Sequence, residues 1–153
     1  MKIKFSVLLA AIAFTALLVP TFGRQAEAQK HPSYLHALSD LRLARAYIDR
    51  LTPSERLDDD QNAAIHEIEE ALSQIKAASI DDGKNINEHM QIDAHIQPHS
   101  RFQKAREALA AAEHDVSQEE DDPHTQGLQS RIMDHIHKAS QHVKRIQERL
   151  HIE

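Results

Sequence analysis

The segment His31–Lys76 recurs 68 positions later as His99–Lys144, and a unit this thin can bury an apolar face only by stacking on another copy. At that offset Tyr34 matches Phe102, Ala37 matches Ala105, Leu41 matches Leu109, Ala44 matches Ala112 and Ile48 matches Val116. Further along, Gln61 meets Gln129, Ile68 meets Ile136, Ala71 meets Ala139, Ile75 meets Val143 and Lys76 meets Lys144. Apolar residues stepping by three and four define one face of a helix, so the repeated positions are those of a shared core. The expected fold is all-α, an antiparallel four-helix bundle made of two duplicated hairpins. Hairpin one covers 32–79, a crossover covers 80–99 and hairpin two covers 100–152.

Each helix carries its own start and stop signals. Helix 1 runs from Pro32 or Ser33 to Leu51, with Tyr34, Ala37, Leu41, Ala44, Ile48 and Leu51 inward. Thr52-Pro53-Ser54-Glu55 reads as a capped helix start, and helix 2 is expected over about Asp60 to Ser79, with Ala64, Ile68, Ala71, Ile75 and Ala78 inward and Ile65 and Leu72 beside them. Gly83 can end it through a positive backbone dihedral. Ser100-Arg101-Phe102-Gln103 offers a capping box for helix 3, which continues to about Val116 before the break at Asp121-Asp122-Pro123. In helix 4, Ile132, Ile136, Ala139, Val143, Ile146 and Leu150 alternate steps of four and three, a heptad seam.

The amino terminus has a different character. Lys2 and Lys4 precede an apolar stretch from Val7 to Val19, Pro20 and Gly23 break it, and Ala26-Glu27-Ala28 offers a small-x-small site. The pattern is that of a cleaved secretory signal over residues 1–28, shorter than the roughly 20 apolar residues that span a bilayer, so no membrane insertion is expected after cleavage and the mature chain is expected in a periplasm or secreted. The chain has no cysteine, which excludes disulfides, thiolate metal sites and a cysteine nucleophile. Removing three cations and one anion with the signal takes the formal net charge from −6 to −8, a poor match for the phosphates of nucleic acid.

All 12 histidines lie beyond residue 28, and they are the compositional anomaly. Neutral imidazole suits Cu, Zn or Ni, and carboxylates or Met sulfur can complete a site without thiolate. The crossover gathers Glu88, His89, Met90, Asp93, His95 and His99; a short helix from about Asn87 to Ile96 would set His89 and Asp93 one turn apart on one face. A solvated polar loop explains the same residues. On helix 4, His135 and His142 share a flank of the seam but stand seven residues apart, roughly 10 Å at 1.5 Å per residue. They can therefore form only separate half-sites, with Glu67, the repeat-mate of His135, or Glu70 supplying a carboxylate. Histidines that cover an apolar seam, as Gln or Lys do, are the plainer reading. The candidate metal ligands are thus His89, Asp93, His95, His99, His135 and His142.

Enzymatic signatures are missing. The chain lacks the paired Glu-x-x-His motifs of di-iron bundles, a Gly-rich phosphate loop and a nucleophile elbow. No catalytic or cofactor-binding residue is expected. Imidazoles also titrate in the range an exported protein meets on acidification: protonating all 12 would take the mature charge from −8 to +4.

His135-Ile136-His137-Lys138-Ala139, with the export signal and the absence of Cys, resembles the small periplasmic metal-binding proteins, His-rich four-helix bundles that sequester divalent metals. The present chain has bulkier core residues and fewer His at heptad spacing. His31-Pro32-Ser33-Tyr34-Leu35-His36-Ala37-Leu38-Ser39-Asp40-Leu41-Arg42 with Asp81-Asp82-Gly83-Lys84-Asn85 resembles a group of exported bacterial proteins of unassigned function, a likeness that implies fold and export. Two functions follow as expectations: low-specificity binding or buffering of divalent metal, and a non-enzymatic structural or protein-interaction module of the cell envelope that responds to pH.

Overall fold

Ladders of apolar residues three and four apart resolve into four α-helices in the computed structural model, which describes residues 31–49, 56–78, 83, 85, 90–93, 95–118 and 127–151. They are α1 (Pro32–Ile48), α2 (Asp59–Ala77), α3 (Pro98–Ser117) and α4 (Leu128–Arg149), with no strand among the described residues. The proposed signal segment, Leu51, the Thr52–Glu55 start and the Asp121–Pro123 break all lie outside the described residues.

Two caps differ from the sequence expectation. Asp58 caps α2: its Oδ1 accepts from the Gln61 backbone N–H at 2.9 Å, and the Gln61 Oε1 accepts from the Asp58 N–H at 3.1 Å. This reciprocal box satisfies two amides that the first turn leaves without helical partners. α3 begins at Pro98 with Gln97 as its cap and no side-chain bond to the cap, so Ser100 lies inside the first turn rather than at its head. Proline needs no N–H partner there and its fixed φ already suits a helix. Gly83 does hold a positive φ of 77°, yet α2 ends at Ala77, several residues before it.

The core is shared between the two copies. α1 packs most extensively on α3 and α2 on α4, while helices of the same hairpin share less. Tyr34, Leu41, Ile48, Ile68, Ile75, Leu109, Ile132, Ile136 and Val143 belong to one buried cluster, and burying each large aliphatic side chain is worth about 1.5–3 kcal/mol. Ala37, Ala44, Ala64, Ala71, Ala105, Ala112 and Ala139 are fully buried between them, which lets the helix axes approach. Leu72, expected as a flanking residue, is buried completely, whereas Leu150, expected inward, is 46 % exposed. It is the residue that caps the end of α4, beyond its last helical turn.

Atomic detail repeats with the sequence. Gln61 Nε2 donates to the Ile48 carbonyl at 3.0 Å, and its mate Gln129 donates to the Val116 carbonyl at 3.0 Å. Each bond ties the start of a hairpin's second helix to the end of its first, supplying a donor to a carbonyl the helix terminus leaves open. Between α2 and α4, Asp60 meets His142, Glu67 meets His135 and Gln74 meets Arg131; residue numbers rise along one helix as they fall along the other.

Ile136→Ala should lower the free energy of unfolding by about 2–5 kcal/mol, since it opens a cavity in the core. Urea denaturation of the variant checks this; a loss below about 1 kcal/mol would show that Ile136 does not sit in a closed interior.

Candidate functional site

Charged and imidazole side chains concentrate along the seam between α2 and α4. His135 Nδ1 lies 2.7 Å from Glu67 Oε2, with both side chains about four-fifths buried. Two turns toward the start of α2, His142 Nδ1 lies 3.0 Å from Asp60 Oδ1, and two arginines converge on the same carboxylate. Arg145 Nε donates to Asp60 Oδ1 at 2.9 Å and Arg149 Nη1 donates to Oδ2 at 2.9 Å. Arg149 also reaches the capping Asp58. Arg145 and Arg149 stand four residues apart, so both project from one face of α4. A third imidazole, His137, lies 3.0 Å from Glu113 and joins α4 to α3.

These contacts set the acidities. Hydrogen bonds from Arg145, then from His142, hold the Asp60 carboxyl far below the usual carboxylate range, against an opposing contribution from burial. Between α1 and α3 the reverse holds. Burial first, and then the neighbouring Asp115, push the Asp40 carboxyl up from its ordinary value, because removing water and adding a like charge both disfavour ionisation. On the exposed side of α4, Asp134 bonds Lys138 at 2.6 Å, one turn away, which lowers the acid and raises the amine.

The six candidate metal ligands fall into three places. His135 and His142 each meet one carboxylate across the α2–α4 seam, Glu67 for His135 and Asp60 for His142; Glu67 is one of the two acids expected, with Glu70. Both have cations beside them: Lys138 acts on Glu67, and Arg145 lies against His142 Nδ1. Asp93, His95 and His99 are exposed, and His89 lies outside the described residues. Asp93 Oδ1 accepts from the His95 backbone N–H at 2.8 Å and lies 3.4 Å from His95 Nδ1, a local turn rather than the helix that would have aligned His89 with Asp93. Residues 90–93 and 95–97 are not helical; Asp bonding to the backbone two residues on competes with the helix. Among the described residues, no three His, Asp or Glu side chains gather to hold a metal ion.

Sequence reasoning passed over the Asp60–Arg145–Arg149 cluster. The signal was present in the repeat: once Glu67 faces its mate His135, counting seven residues in opposite directions sets Asp60 against His142. His31 was also missed. It is buried, with its ring 5.9 Å from that of Tyr34, while its repeat-mate His99 is exposed.

A groove of about 450 Å³ runs between α3 and α4, lined by Arg106, Glu107, Glu113, Ser140 and Gln147 among others. Arg106 Nη1 donates to Gln147 Oε1 at 3.1 Å across it. The mates of Arg106 and Ser140 in the first copy are Leu38 and Leu72, both fully buried. The copies therefore diverge here: apolar side chains are buried on one, and a polar groove opens on the other.

Comparison with family models, curated proteins and solved structures found no match to this chain. Among the described residues, no helix is long and apolar enough to cross a membrane.

Two substitutions should give opposite pH signatures. Asp40 has a raised folded value, so its charge opposes folding at neutral pH: Asp40→Asn should raise Tm at pH 7, and the gain should vanish below the unfolded value of about 3.8. Asp60 has a depressed folded value, so its contribution is present above about 3.8 and is lost as pH falls below it. Asp60→Asn should lower Tm at pH 7, with the deficit shrinking only in stronger acid. Thermal melts by circular dichroism from pH 2 to pH 7 check both signs; equal Tm values for Asp60→Asn and the parent at pH 7 would contradict the geometry.

Proposed function

We propose that the chain acts as an exported, non-enzymatic interaction module, an antiparallel four-helix bundle of two hairpins whose histidines fasten helices together. In this reading residues 1–28 are a signal removed on export, and the mature domain resides in a periplasm or outside the cell. The observation that carries it is the set of three helix-bridging imidazole–carboxylate contacts, His135–Glu67, His142–Asp60 and His137–Glu113. Each imidazole meets one carboxylate from another helix, which is the arrangement of a fastener. A metal centre needs further ligands converging on one point.

The metal-buffering reading of the same histidines draws less support. Arginine occupies both oxygens of Asp60, and a guanidinium or ammonium beside each half-site repels an incoming cation.

Calorimetric titration of the mature protein with Cu(II), Zn(II) and Ni(II), repeated on His135→Ala and His142→Ala, separates the two. The fastener reading expects dissociation constants no tighter than about 0.1 mM, a binding free energy weaker than about 5.5 kcal/mol. It also expects His135→Ala to cost roughly 1 kcal/mol, since the buried Glu67 loses its partner, and to lower Tm by a few degrees. Stoichiometric binding at micromolar metal that disappears in the alanine variants would establish metal buffering instead.

A further inference from the structure

The second copy opens a groove where the first is closed. At the 68-residue offset the lining residues Arg106, Ala110 and Ser140 correspond to Leu38, Arg42 and Leu72, and those three are buried. Arg106 and Ala110 are exposed, and Ser140 is partly so. The duplication supplies its own control: where Arg42 and Leu72 are bulky, Ala110 on α3 and Ser140 on α4 are small, and the groove of about 450 Å³ runs between them. That volume falls in the range of sites for small molecules.

Two bridges bound the open stretch. Arg106 Nη1 donates to Gln147 Oε1 at 3.1 Å, and Glu113 Oε1 lies 3.0 Å from His137 Nε2. Arg106 and Glu113 are seven residues apart on α3, about 10 Å at 1.5 Å per residue, with Ala110 between them and Ser140 between the bridging residues of α4. Each end has bonding capacity to spare. Arg45, Arg145 and Arg149 each bond a carboxylate, but among the described residues Arg106 meets none and makes only its bond to Gln147. Gln147 is 4 % exposed, so packing holds its amide in place, and its Nε2 donates to no described residue. Glu113 engages His137 through one oxygen and no described residue through the other.

These signs select the ligand. A simple anion drawn to Arg106 would meet Glu107 and Glu113 on the same lining, and a simple cation drawn to Glu113 would meet Arg106. A molecule with a carboxylate at one end and an ammonium at the other complements both, and guanidinium takes carboxylate in paired, charge-assisted hydrogen bonds. An extended dipeptide is about 7 Å long, which places its two ends within hydrogen-bond reach of side chains rooted about 10 Å apart. We propose that the α3–α4 groove binds a small zwitterion of dipeptide size, its carboxylate on Arg106 and Gln147 and its ammonium on Glu113. The ligand is a small molecule, so the site goes beyond the interaction-module reading and stands or falls separately from it.

Titration of the full-length, nitrogen-15-labelled chain with L-alanyl-L-alanine, followed through amide chemical shifts, tests the site. Saturable shifts are expected within 103–113 and 137–147 and not along 35–45, with a dissociation constant of about 1 mM or tighter. Acetylating the peptide's amine or amidating its carboxyl should weaken binding by about tenfold or more, and R106Q should do the same, because each removes one charged end. S140L, which installs the residue of the first copy, should abolish binding while circular dichroism stays helical; R106Q carries the test should S140L fail to fold. No saturation by about 10 mM peptide, shifts centred elsewhere, blocked peptides or inorganic phosphate binding as tightly, or undiminished binding by a folded S140L or R106Q chain would each overturn the proposal.

Discussion

Everything in this structure depends on the burial of one apolar face per hairpin against the same face of the other hairpin. A hairpin with alternating Ala and Leu or Ile on one side exposes too much hydrocarbon to persist alone. Placing α1 on α3 and α2 on α4 removes it from water. The fully buried alanines set the closeness of approach, and the larger residues between them fill the space. Gln61 and Gln129 then tie each hairpin's two helices end to end by the same bond in both copies.

Polar groups at the rim decide which surfaces meet. Hydrophobic burial has no direction, and an alanine-rich seam offers several registers of similar area. The Glu67–His135 contact and the Asp58, Asp60, Arg145, Arg149 cluster supply direction. His135 and His142, the two seam imidazoles that meet acids, each contact a carboxylate from the neighbouring helix. The copies differ at such positions. Glu67 corresponds to His135, Asp60 to Leu128, and Leu38 and Leu72 to the groove residues Arg106 and Ser140.

The interior was legible from the sequence because it repeats: the periodic residues from Tyr34 to Ile48, from Ala64 to Ile75 and from Ile132 to Ile146 are buried as their spacing requires. Helix ends were less legible. The start of α3 turned on a choice between Ser100 as a cap and Pro98 as a first residue, and proline's fixed φ prevailed. Leu150 continued the heptad pattern but lies past the last helical residue of α4 and is half exposed. For the site, the repeat offered Glu67 beside Glu70 as a carboxylate for His135, and the structure brings Glu67 to it, whereas the ligand set in the crossover assumed a helix that Asp93 replaces with a turn. Local periodicity reports what is buried. It does not report which side chains from distant segments converge, and that requires the register between helices.

Native-state amide exchange measured as denaturant rises tests most directly whether the two hairpins share one interior. The account predicts that core amides of all four helices merge into a single cooperative opening whose free energy equals that of global unfolding. If α1 and α2 kept their protection under conditions where α3 and α4 had already lost theirs, each hairpin would own a separate core, and the shared interior described here would be contradicted.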